Sequence, residues 1–193
     1  MTTHHYFDAE PPGPSAPRTV ALVLPDLTAS LRTDRAVFSG DRVDPGTKLL
    51  LQEGPPPPPS GDVLDLGCGY GPIAVALARR SPLAHVWAVD VNQRALRLAE
   101  LNTAGLGNVT VAPPAEVPAD TRFAALYSNP PIRVGKAALH DLLATWVPRS
   151  KVAYLVVGKH LGSDSLAAWM SGAGWDVTRL VSRAGYRILR VAP

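Results

Sequence analysis

The stretch Val63-Leu-Asp-Leu-Gly-Cys-Gly-Tyr-Gly-Pro72 constrains the fold more than any other part of the chain. A short apolar run, three glycines on alternate positions and a proline leading into a second apolar run predict a strand, a tight turn and a helix start. Gly67, Gly69 and Gly71 admit dihedrals closed to other residues and let a ligand lie against bare backbone. Pro72 stands in the first helical turn, where its missing N–H costs nothing. The helix end there offers unpaired N–H groups and a positive dipole. A dinucleotide-binding turn usually reads G-x-G-x-x-G. This one reads G-x-G-x-G, with an acid, Asp65, two residues before the first glycine. A pyrophosphate needs only the helix end, whereas a ligand with an amino-acid end also needs an acceptor for its ammonium group. Asp65 is placed to orient such an end, directly or through water. Cys68 reads as a small packing residue of the turn, with nothing nearby to lower its thiol pKa.

From residue 61 the pattern alternates strand and helix. Residues 63–66, 85–90, 109–112, 123–128 and 151–157 read as strands; residues 72–80, 93–102, 136–146 and 163–172 read as helices. Such alternation predicts an α/β doubly wound, mostly parallel sheet. The final strands, 175–181 and 186–191, have no room for a helix between them and predict an antiparallel hairpin at one edge. Before this lies an extension, residues 1–60. It holds a proline-rich entry at 11–17, β-like pieces at 19–24, 28–33 and 36–39, a short helix at 47–52 and a polyproline spacer at 55–59. The expected division is therefore an N-terminal extension, 1–60, and a main domain, 61–193.

Asp90 ends the second strand, 23 residues after Gly67. That is near the offset at which an acid accepts both hydroxyls of a ribose. The competing role for Asp90 is N-cap of the following helix, which Asn92 could fill instead. Asp65, Gly67, Cys68, Gly69, Gly71, Asp90 and Val91, with Asn129, form the candidate cofactor contacts.

The fourth strand runs into Asn129-Pro130-Pro131-Ile132. Residues before proline avoid the helical region, which holds the Asn129 amide and the Pro130 carbonyl rigidly at the strand's carboxyl end. Two carbonyl acceptors can receive both protons of a planar amino group, disfavour delocalisation of its lone pair and aim it at an incoming methyl. Asn129, Pro130, Pro131 and Ile132 are the candidate catalytic turn. Phe38, Arg133 and Lys136 are candidate substrate contacts.

Composition sets the remaining bounds. The 193 residues suffice for one core, and 46% hydrophobic with 18% charged residues describes a globular chain. No apolar run reaches bilayer length and the first residues lack a signal-peptide centre, so the expectation is a cytoplasmic protein with no membrane partner. One cysteine excludes an internal disulfide and a cysteine-cluster metal site. His4 and His5 lack a partner at ligand spacing, so no metal is expected. From Pro130 onward nine Lys and Arg face only Asp141, Asp164 and Asp176, while the rest of the chain is net acidic. This asymmetry suits a polyanion such as RNA approaching one side, and equally suits a merely solvated surface.

These motifs resemble the class I methyltransferases. More narrowly, they resemble the family that methylates the N2 amine of guanine in small-subunit ribosomal RNA. The resemblance is carried by His5-Tyr6-Phe7, Val37-Phe-Ser39, Val43-Asp-Pro-Gly-Thr47, Asp65-Leu-Gly-Cys-Gly-Tyr-Gly71, Asn129-Pro-Pro-Ile-Arg-Val-Gly-Lys136 and Gly185-Tyr-Arg187. It implies a Rossmann-like sheet, S-adenosylmethionine as methyl donor and a guanine amine in rRNA as acceptor. Three features depart from the family pattern. Val111-Ala-Pro-Pro-Ala115 lacks the acid that usually meets the adenine amine after the third strand, Ile132 stands where many amine methyltransferases carry an aromatic residue, and the family's second, degenerate domain is absent. A protein glutamine amide or a small-molecule amine is also a planar or accessible amine acceptor, and both stay open; a silent cofactor-binding module is disfavoured by the intact Asp90 and Asn129. A nicotinamide dehydrogenase is disfavoured by the glycine spacing and the Asn-Pro-Pro turn.

Overall fold

The computed structural model describes residues 16–34, 37, 39 and 41–193. A hairpin of β1 (Pro17–Val23) and β2 (Thr28–Asp34) leads to helix α1 (Pro45–Glu53). The chain then alternates through β3 (Ser60–Leu66), α2 (Pro72–Arg80), β4 (Leu83–Val89), α3 (Gln93–Thr103) and β5 (Val109–Ala112). It continues through β6 (Ala125–Ser128), α4 (Lys136–Trp146), β7 (Ala153–Gly158), α5 (Ser163–Gly172), β8 (Asp176–Arg183) and β9 (Tyr186–Ala192). Strands β3 to β9 form one sheet in the order β5-β4-β3-β6-β7-β9-β8.

Strands β5, β4, β3, β6 and β7 are parallel neighbours, because helical crossovers return the chain to the same end each time. Only Ala184 (φ 49°) and Gly185 (φ 81°) separate β8 from β9. Two positive φ values in a two-residue loop match the right-handed twist of a hairpin, so β9 turns back antiparallel to both β8 and β7. The expected Rossmann-like sheet with its antiparallel C-terminal hairpin is the architecture found.

Helices cover both faces. On one, α2 and α3 pack with the N-terminal extension: Val20, Leu22, Leu31, Leu49 and Leu50 share a core with Ile73, Val75, Leu96 and Ala99. On the other, Leu139, Leu143 and Trp146 of α4 and Leu166 and Met170 of α5 pack over Leu64, Leu126 and Leu155. The extension is also tied by polar bonds. The Arg80 guanidinium spans Asp26 and the Leu51 carbonyl, and the Asn102 amide bonds both the N–H (2.7 Å) and the C=O (2.8 Å) of Arg32. The Tyr127 hydroxyl donates to the carbonyls of Pro55 and Pro56, pinning the polyproline spacer to the sheet.

Some expected boundaries move. Strand β6 begins at Ala125, with Phe123 in an isolated bridge to Ser150. Val37 and Ser39 lie in no strand: the Val37 N–H closes a turn onto the Asp34 carbonyl, and Ser39 has φ 58°. The rest of that stretch, including Phe38, lies outside the described residues, as do His4 and His5.

The sheet order reverses between β3 and β6. In open α/β sheets the crevice at the carboxyl ends of such a strand pair is where ligands bind. The glycine turn leaves β3 and the Asn-Pro-Pro turn leaves β6, so the topology brings the two sequence motifs to one crevice.

Candidate active site

The glycine turn is held by its neighbour strand. The carbonyl of Val89 accepts from both Gly67 N (2.8 Å) and Cys68 N (3.0 Å), and Gly71 N bonds back to the Cys68 carbonyl. Gly71 caps α2 at φ 86°, in the left-handed region, and a Cβ there would lie 3.4 Å from that of Ala99 on α3. Glycine is therefore required both by the backbone and by helix packing. Gly69 (φ 57°) differs: a Cβ there would meet nothing within 4 Å, because the residue borders open space.

Asp90 lies one residue beyond β4, on the cleft wall. Its Oδ2 accepts from Gly69 N (2.9 Å) and its Oδ1 from Asn92 N (2.9 Å), so it closes the glycine turn while each oxygen keeps a lone pair for a further donor. Burial pushes its carboxyl above the usual carboxylate range, against the opposing pull of those backbone N–H groups. The helix-cap role belongs to Asn92, whose Oδ1 accepts from Arg94 N and Ala95 N.

Asp65 is fully buried beneath the turn and does not line the cleft. Its Oδ2 accepts from Ala74 N (2.8 Å) in the first turn of α2, and its buried Oδ1 has no hydrogen-bond partner. Burial pushes its pKa up to about 8, which the Ala74 bond opposes and the nearby Asp90 carboxylate reinforces. Cys68 is buried too, and burial raises its thiol well above the ordinary value, an inert packing residue.

The Ser128 hydroxyl at the end of β6 donates to the Leu66 carbonyl at the end of β3 (2.7 Å) and locks the two turns side by side. Pro131 has φ −75° and ψ 72°, an inverse γ-turn in which the Pro130 carbonyl accepts from Ile132 N at 2.8 Å. That carbonyl retains one lone pair. The Asn129 amide nitrogen donates to Asp44 Oδ1 (2.8 Å) and Thr47 Oγ1 (3.1 Å), two residues of the extension.

Around these groups lies a cleft of about 1060 Å³ counting its open mouth. Val89, Asp90, Val91 and Pro114 line one part of it; Asn129 to Arg133, Leu142, Leu161 and Tyr186 line the other. A narrow side cavity runs between the extension and the glycine turn, bordered by Ser39, Asp44, Thr47, Gly67, Gly69 and Asn129. The sequence reading therefore meets the cleft at Gly67, Asp90, Val91 and Asn129 to Arg133. Lys136 is exposed at the start of α4, away from the walls. Tyr186, Leu161 and Pro114 were not singled out as cleft residues; the only signal for Tyr186 was its place in the Gly185-Tyr-Arg187 motif.

The basic C-terminal segment is partly neutralised. Arg183 pairs with Glu53, Arg187 with Asp164 and Arg190 with Asp176. Among the described residues Arg133, Lys136 and Lys159, all exposed, form no ion pair, and each belongs to an element with a residue on the cleft wall. Among the described residues no helix is long and apolar enough to cross a membrane, and no group of His, Cys, Asp or Glu could hold a metal ion.

Comparison with known proteins agrees with this geometry. A Bacillus subtilis (strain 168) protein named "Uncharacterized protein YbxB" is 30% identical, over 97% of this chain and 98% of its own length. The Ribosomal RNA small subunit methyltransferase C of Shewanella sp. (strain MR-4) is 36% identical over 68% of this chain. The match spans only 41% of that relative's length. In the solved structure described as "T. Thermophilus 16S rRNA N2 G1207 methyltransferase (RsmC) in complex with AdoMet and Guanosine", the same fold recurs with TM-score 0.72 at 24% identity, over 94% of this chain and 52% of that one. The model of the methyltransferase small domain matches residues 28–190. The chain thus belongs to the methyltransferase small domain family, and it is an S-adenosylmethionine-dependent methyltransferase.

Proposed function

We propose that this methyltransferase acts on a planar exocyclic amine, the N2 amine of a guanine in ribosomal RNA, in the cytoplasm. The observation that carries the reading is the orientation of Asn129. Both partners of its amide nitrogen, Asp44 and Thr47, lie on the extension side, so its Oδ1 is left to accept from a group in the cleft beside the Pro130 carbonyl.

The residues fit the donor. The Asp90 carboxylate suits the two hydroxyls of a ribose, Val91, Pro114 and Ile132 offer apolar surface to an adenine, and the bare backbone at Gly67 and Gly69 borders the side cavity that suits an amino-acid end. Pro113 and Pro114 stand after the third strand and lack N–H groups, so apolar contact rather than a carboxylate meets the adenine there. Asp65 supports the turn from beneath, through Ala74, and reaches the ligand only through it. S-adenosylmethionine supplies an electrophilic methyl on a sulfonium. Asn129 Oδ1 and the remaining lone pair of the Pro130 carbonyl accept the two N–H bonds of the acceptor, which turns its lone pair toward that methyl. As the N–C bond forms and the S–C bond breaks in line, the surplus proton leaves the acceptor for solvent. Positioning of this kind can supply much of the rate without a strong base or a metal.

For RNA, the guanine must be unpaired or turned out of its helix to reach Asn129. Arg133, Lys136 and Lys159 provide unpaired positive charge for the flanking phosphates. Tyr186 gives the cleft an aromatic wall in the absence of an aromatic residue at position 132.

The test is transfer of tritium from labelled S-adenosylmethionine to naked rRNA, isolated ribosomal subunits, tRNA and total protein in parallel. Recovery of N2-methylguanosine from an rRNA fraction supports the reading. Label in protein replaces it with a glutamine-amide acceptor, and absence of label with cofactor bound rejects a macromolecular acceptor.

A further inference from the structure

Asp44 is the N-cap of α1: its Oδ1 accepts from Thr47 N at 3.1 Å. The same oxygen accepts from Asn129 Nδ2 at 2.8 Å, across 85 positions of sequence. Thr47 Oγ1, in the first turn of α1 and almost fully buried, takes the other contact of that nitrogen at 3.1 Å. A carboxylate only accepts hydrogen bonds, so the group facing Asp44 must be the NH2 end of the amide. The carbonyl end therefore faces the opposite way, into the cleft. An amide rotated by half a turn would set its oxygen against the Asp44 carboxylate and point two donors at an acceptor amine, which is itself a donor.

Gly46 keeps this arrangement clear. A Cβ at that position would lie 2.9 Å from Asp44 Oδ1 and 2.7 Å from the Tyr186 ring. Glycine disfavours a helix relative to alanine, yet it stands in the first turn of α1. The cap, the glycine and the threonine of Asp44-Pro-Gly-Thr47 thus serve one geometry.

We propose that Asp44 is a positioning residue for methyl transfer: with Thr47 behind it, it fixes the Asn129 amide with Oδ1 toward the acceptor, so that the N-terminal extension sets the catalytic turn. This rests on Asn129 being the group that meets the acceptor amine.

The test uses the full chain and two readouts. Asp44→Ser keeps a good helix cap but stops a bond short of Asn129; Thr47→Val keeps the buried shape and loses only the hydroxyl. The sequence has four asparagines, at 92, 102, 108 and 129. Their side-chain amides in 15N-asparagine-labelled protein are therefore few enough to assign by NMR against Asn129→Ala. In the native protein the Asn129 NH2 protons should exchange slowly; in Asp44→Ser they should exchange with water far faster, while the Asn92 and Asn102 amides stay unchanged. Transfer of label to the RNA or protein fraction that accepts it should fall about tenfold in kcat, as for loss of one charge-assisted hydrogen bond. Asp44 and Thr47 also border the side cavity, so S-adenosylmethionine affinity by calorimetry should fall, but by less than kcat does. In an Asn129→Ala background, Asp44→Ser should cost nothing further. An unchanged exchange rate, an equal loss of cofactor affinity, or a full additional loss in the Asn129→Ala background would each overturn the assignment. If Asn129→Ala itself transfers at the native rate, the reading of Asn129 fails and the positioning role falls with it; an unexpected acceptor class alone leaves it standing.

Discussion

Asp90 Oδ2 and the Gly69 N–H meet at 2.9 Å, so the acid at the end of the second parallel strand closes the glycine turn that follows the first. One carboxylate joins the two motifs recognised separately in the sequence, and its remaining lone pairs face the cleft. Replacing Asp90 by alanine should open the turn and remove the proposed acceptor for the ribose together. We expect S-adenosylmethionine affinity to fall about tenfold to a hundredfold, from loss of hydrogen bonds to a charged group. Isothermal calorimetry measures it; an unchanged Kd would remove Asp90 from the cofactor site.

Asn129→Ala should separate chemistry from binding. Removing an acceptor proposed to meet the reacting amine should lower kcat by about a hundredfold to a thousandfold, as for other oriented polar groups at reacting centres. Cofactor affinity should stay nearly intact. Rapid-quench transfer of labelled methyl, paired with calorimetry, distinguishes this from collapse of the turn, in which both would fall together.

The buried Asp65 gives a pH signature. Burial raises its folded pKa to about 8, above the ordinary carboxylate value near 3.8. The folded state then binds a proton that the unfolded state has released, so this residue's contribution is fully present below about pH 3.8 and is lost as pH rises toward about 8. Asp65→Asn keeps an acceptor for the Ala74 N–H and cannot ionise. Between pH 5 and about 8 the stability of the native protein should therefore fall relative to the variant, measured by urea unfolding without ligand. Parallel curves over that range would exclude a neutral Asp65.

Gly71→Ala tests the turn itself. At φ 86° the left-handed backbone strains an added Cβ, which also presses on Ala99. The conformational part alone should cost about 1–2 kcal/mol. Gly69→Ala also carries positive φ but meets no atom within 4 Å, so it should unfold at higher urea than Gly71→Ala while binding cofactor more weakly than the native protein.

Arg133→Ala with Lys136→Ala should weaken RNA binding without affecting S-adenosylmethionine. If both contact phosphates, the slope of log K against log salt should shrink by about 1.4 to 1.8. Filter binding to rRNA across a salt series reads this directly, and an unchanged slope would leave both side chains as ordinary solvated cations.

What the sequence determined by itself is local. The apolar runs, the alternating glycines and Pro72 specify strand β3, its turn and helix α2, because backbone dihedrals and hydrophobic periodicity act over a few residues. The same holds for the Ala184-Gly185 hairpin and for the stiff Asn129-Pro-Pro turn. The acid at position 90 was legible because strand and helix lengths fix the spacing between successive strand ends. The tertiary structure decided what depends on contacts between distant segments. Asp65, an acid near the ligand by spacing alone, is turned beneath the loop because strand side chains alternate and its own points to the first turn of α2. The C-terminal arginines, a basic run on paper, are paired with acids from α1, α5 and β8. Asp44 and Thr47, identifiable as a helix cap, become partners of Asn129 only when the extension packs beside β6, a bond of 85 residues' separation that no local pattern encodes.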